Sequence, residues 1–458
     1  MVTQQKKTNH LKRSVLVSLI AIFSLLASDI LRACPFCLSP PMTVVEEIAG
    51  SDMVVIVELL QFEVIREGGT AIPQSTVRIR EFLQGGNLAA KCHRLQAGQS
   101  LMVPQETGGE PGDLFLLFGS LPGNDSSSQA TFAANTDDTQ SATETGSIVT
   151  ADLQISESTA KKIQRASFLI PELISWTSTT PVSQEAILYI KHAPPLTLSS
   201  SQRLPYYISY LEHSDPLLSI DAWAEFANAT YDDVKSVQNS FPREKLRQWI
   251  QDPLMSPERL GLYGLMLGLC GNAEDAAFLQ EQIGTFPPTG KDNTRFFRYG
   301  TDGLMGGYLL LTGEEGVEFL ERTRLKPGAP TDSAHAAVQA MQFVYSYESG
   351  LISQSRLKVA MRQLLSNDDL RILTITNLAR WKDWDCWPEL EQIFYNKNTA
   401  DRSTQKAILQ FADECRKATD TNGTALEVAG HADKFVIQAE LEYPELFHST
   451  VNAEFLGP

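Results

Sequence analysis

Basic residues are scarce in this 458-residue sequence: 38 Lys and Arg stand against 55 Asp and Glu, a formal net charge of -17. A field of that sign repels phosphate backbones and anionic lipid, so no nucleic acid is expected as a partner. Cysteine is sparse too. Six in this length cannot make a disulfide scaffold, and three in each half cannot all pair within their own half. After residue 27 no long apolar run follows, so the body of the chain carries no stable transmembrane span. A nucleophile elbow, a phosphate-cradling Gly-Lys loop, a His-Glu-x-x-His pair and a dinucleotide Gly fingerprint are all missing. No catalytic residue is nominated and no cofactor is expected.

The N-terminus has the layout of a secretory signal peptide over residues 1-33. Lys6, Lys7, Lys12 and Arg13 form its basic region, Val15 to Ala27 its short apolar core, and Ala33 its cleavage-site small residue. Leu31-Arg32-Ala33-Cys34 also resembles a bacterial lipoprotein cleavage box, although Arg32 departs from it, and that resemblance implies a lipid anchor at Cys34. An uncleaved anchor is the other alternative. The expected location is the periplasm, cell envelope or extracellular space. From Cys34 onward the sequence holds 33 basic and 54 acidic residues, a net charge of -21.

Residues 34-118 read as a β-rich domain. Strands are expected over Asp52 to Phe62, Ser75 to Phe82 (ended by Gly85-Gly86) and Leu114 to Phe118, from apolar runs and partial alternation between turn residues. This order of features, with Cys34 first and Asp113-Leu-Phe-Leu-Leu-Phe-Gly119 last, resembles netrin-like and tissue-inhibitor-of-metalloproteinase-like modules. The resemblance implies an OB-like β-barrel. It also implies an N-terminal Cys34 whose amine and carbonyl chelate a protease metal, with disulfides nearby. The spacing departs from that family, because the inhibitors use Cys-x-Cys and this chain has Cys34-Pro-Phe-Cys37.

Residues 119-150, rich in Ser, Thr, Asn and Asp, read as a polar loop or linker, and residues 151-204 as a connecting segment. From 205 to 420 helical segments recur, their long first helices starting near Asp215, Pro257, Arg298, Asp332 and Asp368, at intervals of 42, 41, 34 and 36 residues. Paired helices at such periods predict an α-solenoid, and Ala, Gly and Leu at recurring positions permit close helix contact. Segments such as Leu211-Glu-His-Ser-Asp-Pro-Leu217 resemble HEAT-like repeats. Residues 421-458 form a C-terminal segment. The whole arrangement resembles uncharacterised exported bacterial proteins joining such a module to HEAT-like helices. The predicted fold class is therefore α+β multidomain.

Three readings compete for the early cysteines. Cys34, Cys37 and Cys92 are disulfide candidates; with His93 they make a Cys3His set suited to zinc; and Cys34-x-x-Cys37 is a thiol-oxidoreductase pair only if it opens a helix after a strand. Trp381, Trp384 and Trp387 are either core or a protein-binding surface. Cys270 lies on an apolar stripe and is expected in the core, as are Cys386 and Cys415 unless they pair. His213 is expected to serve the Asp215-Pro216 turn. The function expected is that of an exported, non-catalytic protein-binding or scaffolding protein. The alternatives are a protease-inhibitor-like or metal-binding module acting through Cys34, and an exported thiol oxidoreductase.

Overall fold

A computed structural model describes Phe36 and residues 40-67, 70-86, 95-103, 108-120, 174-176, 179-284, 288-289, 294-295, 298-396, 400-419 and 423-447. The chain is α+β: a small antiparallel sheet lies near the N-terminus and helices follow it. It divides into two compact units, one of residues 39-228 and one of residues 229-458 together with 1-38. Among the described residues no helix is long and apolar enough to cross a membrane.

The sheet unit opens with α1 (Val44–Gly50), started by a capping box in which Thr43 Oγ1 accepts from the Glu46 amide and Glu46 accepts from the Thr43 amide. Strands β1 (Met53–Glu67), β2 (Thr70–Gln84), β3 (Ser100–Val103), β4 (Leu114–Ser120), β5 (Ser175–Trp176) and β6 (Thr180–Pro181) follow. Their order is β3-β2-β1-β4-β5, with β6 also on β4. Alternation along β1 explains its central place. Met53, Val55, Val57 and Leu59 join Phe115, Leu117, Val77, Ile79 and Trp176 in one core cluster. Val54 and Ile56 point the other way, in register with Phe118 and Leu116, and all four are buried as well. A strand buried on both faces reads as a continuous apolar run, as Met53 to Val57 does. Three helices complete the unit: α2 (Gln184–His192), α3 (Ser200–Tyr207) and α4 (Pro216–Asn228). Lys191 on α2 reaches Glu81 on β2 at 2.6 Å.

The helical unit runs through α5 (Tyr231–Ser236), α6 (Arg243–Gln251), α7 (Pro257–Cys270) and α8 (Ala273–Gly284), a minimal hairpin β7 (Pro288–Thr289) and β8 (Thr294–Arg295), then α9 (Thr301–Thr312), α10 (Glu314–Thr323) and α11 (Thr331–Tyr347). It ends with α12 (Gln354–Arg362), α13 (Arg371–Arg380), α14 (Trp387–Tyr395), α15 (Arg402–Cys415), α16 (Glu427–Glu442) and α17 (Pro444–Phe447). Neighbours alternate along the chain: α7 packs on α9, α9 on α11, and α13 on α15.

The α7–α9 contact is the closest of these, and glycine makes it so. A Cβ on Gly264 would stand 2.6 Å from the Leu304 nitrogen, and one on Gly307 would run into the Gly264 carbonyl. Gly303 and Gly268 are equally closed by the backbone of the facing helix. The two backbones therefore touch, and no side chain fits between them.

Candidate functional site

An apolar corner on the helical unit grows out of that contact. Asp252-Pro253 forms a turn in which Asp252 Oδ1 accepts from the Leu254 amide at 2.9 Å and its carbonyl from the Met255 amide at 3.2 Å. Ser256 then caps α7, with Pro257 at the first helical position. From the chain entering α9, the Arg298 guanidinium donates to the Ile250 carbonyl at 2.8 Å and to the Asp252 carbonyl at 2.5 Å. Burial lowers the Arg298 pKa, against the attraction of Asp252. Gly300 closes the corner at φ +85°, where a Cβ would strike the Pro257 carbonyl.

Two neighbouring loops are thus locked together by hydrogen bonds to main-chain carbonyls, and each displays an apolar side chain. Leu254 is 90% exposed and Tyr299 64%. Large apolar groups held on a fixed backbone lose little conformational freedom when a partner covers them, and that is what a binding anchor requires.

The tryptophans lie elsewhere on the same unit. Trp381 is buried and stacks on Tyr345 with ring centroids 4.2 Å apart and an interplanar angle of 4°. Trp387 is buried against Phe435 at 4.9 Å, and Trp384, half-buried, meets Phe411 edge-on at 5.3 Å. Between them Lys382 turns at φ 52°, and Asp383 is buried on Arg362. Trp384 is therefore the least buried of the three tryptophans.

In the sheet unit, α4 carries Asp221, Glu225 and Asn228 along one side of an otherwise apolar helix. Asp221 accepts from the Val44 amide and from the Tyr189 hydroxyl, both at 2.6 Å. Glu225 accepts from Arg203 at 2.5 Å, and Asn228 donates to the Pro41 carbonyl at 3.0 Å. The Tyr207 hydroxyl faces Glu225 without a well-formed hydrogen bond. Burial lifts the Asp221 and Glu225 carboxyls above their ordinary range; the Tyr189 hydrogen bond partly offsets this for Asp221, and the Arg203 charge for Glu225. Burial also lifts the Tyr189 phenol. With Asp221 4% and Glu225 1% exposed, neither acid can meet a substrate. The cluster is a clamp that holds the strap before α1 onto α4.

Cys34, Cys37, Cys92 and His93 lie outside the described residues, so their disulfide, zinc and redox readings stay as the sequence left them. Cys270, Cys386 and Cys415 are free thiols. Burial pushes Cys270 and Cys415 up to about 11 and raises Cys386 further, which removes thiolate at neutral pH. His213 accepts from the Asp215 amide at 3.1 Å and approaches Glu185 at 3.3 Å. Among the described residues no three His, Cys, Asp or Glu side chains group to hold a metal ion. No protein-family profile and no curated protein matches this chain.

Sequence reasoning missed the corner and the clamp. The one signal for the clamp was Asp221 and Glu225 interrupting the run Leu217 to Ala227, since acids inside an apolar helical stripe need buried partners. Leu254 gave none, because one exposed leucine is ordinary in any sequence.

Proposed function

We propose that this chain is an exported, non-catalytic protein-binding scaffold, and that its partner, an unidentified protein, docks on the Leu254–Tyr299 corner. The observation that carries this is the rigid display of two exposed apolar side chains, fixed by Arg298. On this reading the helical unit is a short HEAT-like solenoid, since alternate helices pack side by side as stacked pairs do. On this reading the sheet is an OB-like barrel, whose closure would pair β3 with β5, the two ends of the order β3-β2-β1-β4-β5. Export rests on the N-terminal residues 1-33. A solenoid that carries its ligand on exposed loops at one end of its helices is consistent with scaffolding.

The test is co-purification from the native host with the wild-type chain and with a Leu254→Asp, Tyr299→Asp double variant. The reading expects one partner to be lost from the variant while its unfolding transition stays within about 0.5 kcal/mol of wild type, as surface changes do. Retention of every partner would overturn it.

The readings that work through Cys34, as a protease-inhibitor-like module, a metal site, a lipid anchor or a thiol oxidoreductase, rest on sequence alone. Intact-mass analysis with and without reduction tests all four, since it reports the mature N-terminus, any lipid, retained metal and the oxidation state of Cys34, Cys37 and Cys92.

A further inference from the structure

Helices α8 and α10 both pack on α9, and beside them an open cleft of about 560 Å³ is lined by residues of both. That volume suits a small organic molecule. The sequence explains the space. On α8 the lining positions are 277, 280, 281 and 284, a spacing that puts them on one face of the helix. Two of the four are Ala277 and Gly284, and a Cβ added to Gly284 would meet nothing within 4 Å. From α10 comes Phe319, half-buried, whose ring meets that of Tyr308 on α9 edge-on at 5.3 Å. Small residues on one helix and an aromatic ring on the other leave room along a flat apolar wall.

The polar groups of the cleft are chiefly donors. Tyr308 Oη donates to Gln280 Oε1 at 3.3 Å, which commits the Gln280 carbonyl and leaves its amide nitrogen to donate. Arg324, only 6% exposed, follows α10, and its Nη2 donates to the Ile283 carbonyl, which fixes the guanidinium at the end of α8. Burial pulls the Arg324 pKa down, so an anion placed beside it is favoured. Lys326 adds a second, exposed cation, and Glu281 is the one acid among the lining residues. Two cations against one acid make the cleft a positive spot in a chain whose net charge is -17. A single excess positive charge matches a carboxylate better than the higher charge of a phosphate group.

We propose that the α8–α10 cleft binds a small aromatic carboxylic acid, with its ring against Phe319 and its carboxylate held by Arg324, Lys326 and the Gln280 amide. The Phe319 ring supplies the apolar contact, and the fixed guanidinium and the amide supply direction. The cleft shares no residue with the Leu254–Tyr299 corner, and it stands whether or not that surface binds a protein.

The test is an NMR titration of the full chain with phenylpropionate, with its neutral counterpart phenylpropanol and with inorganic phosphate. Phenylpropionate saturates, and phenylpropanol binds at least ~10-fold more weakly, the cost of losing one hydrogen bond to a charged group. Phosphate, which lacks the ring, does not saturate over the same range. Gly284→Trp fills the cleft and abolishes phenylpropionate binding. Lys326→Glu weakens it at least ~3-fold and leaves phenylpropanol unchanged. Both positions are exposed, so the circular dichroism of each variant matches the wild type. Should Gly284→Trp fail to fold, Ala277→Trp on the same face of α8 replaces it as the filling variant. The proposal is overturned if phenylpropionate does not saturate, if the acid and the alcohol bind alike, if phosphate binds as tightly as the acid, or if a folded filling variant still binds it.

Discussion

Replacing Gly307 with alanine asks whether the α7–α9 backbones touch in solution. Alanine favours a helix interior over glycine by about 0.8-1 kcal/mol, so propensity alone makes Gly307→Ala stabilising. The new methyl, however, runs into the Gly264 carbonyl and lies 2.9 Å from the Gly264 carbonyl carbon and 3.3 Å from the Gly268 nitrogen. Main-chain atoms cannot rotate aside, so the helices must separate along their shared length. Overpacking of this kind costs about 1-3 kcal/mol, and contact with main-chain atoms of two α7 residues, Gly264 and Gly268, puts it at the upper end. The net expectation is a loss of about 2 kcal/mol, or roughly 4-8 °C in Tm for a unit of this size.

Gly430 on α16 supplies the control, because nothing lies within 4 Å of its added Cβ. There Gly430→Ala keeps only the propensity gain and raises stability by about 0.5-1 kcal/mol. Urea unfolding followed by circular dichroism, supported by calorimetry, measures both. A neutral or stabilising Gly307→Ala would refute the contact, whatever Gly430→Ala does.

Four further outcomes follow from the buried charges, the thiols and the exposed corner. Arg203→Met leaves the buried Glu225 unpaired and costs about 3-5 kcal/mol in urea unfolding, while the Arg203→Met, Glu225→Met double variant recovers most of it. Burial lifts Asp221 and Glu225 above their ordinary values of 3.8 and 4.5, so the folded sheet unit holds protons more tightly than the unfolded chain. Its stability therefore falls as pH rises through the interval between those ordinary values and the raised ones, and Asp221→Asn flattens that slope in urea midpoints taken from about pH 4 to pH 8. Cys386 and Cys415, both buried, react with an aromatic disulfide reagent at neutral pH only after unfolding, whereas the half-buried Cys270 reacts slowly in the native chain; tryptic mapping of the labelled native chain checks this. Tyr299→Ala leaves the melting transition within about 0.5 kcal/mol of wild type, which calorimetry reads directly.

Periodicity and punctuation made much of the fold legible. Ser256-Pro257 and Gly271-Asn272 bracket α7 where the structure has it, and the valine run with Leu114 to Phe118 marks β1 and β4. Two helices left little trace. In α16 the buried face is mostly Ala429, Ala432 and Ala439, too weakly apolar to stand out from the segment after 420. In α6 only Leu246 and Ile250 are buried among charged residues. The start expected at Arg298 moves to Thr301, because Gly300 takes a left-handed conformation and Arg298 is spent on binding carbonyls of the preceding turn.

The sites were harder to read than the elements, for a physical reason. Both the corner and the clamp join residues far apart in sequence: Arg298 with Ile250, and Asp221 with Val44. No spacing pattern encodes such a meeting. The tryptophan trio was visible as a cluster, yet density in sequence did not separate Trp381 and Trp387, which are buried, from Trp384, which is half-buried.

The most direct test of the binding role is site-specific photo-crosslinking in the native host. A benzophenone side chain is placed at Leu254, at Tyr299 and, as a control on the same unit, at the exposed Val359 of α12. The account predicts one discrete protein adduct shared by positions 254 and 299 and absent at 359. Adducts that are the same at all three positions, or absent at both 254 and 299, would contradict it.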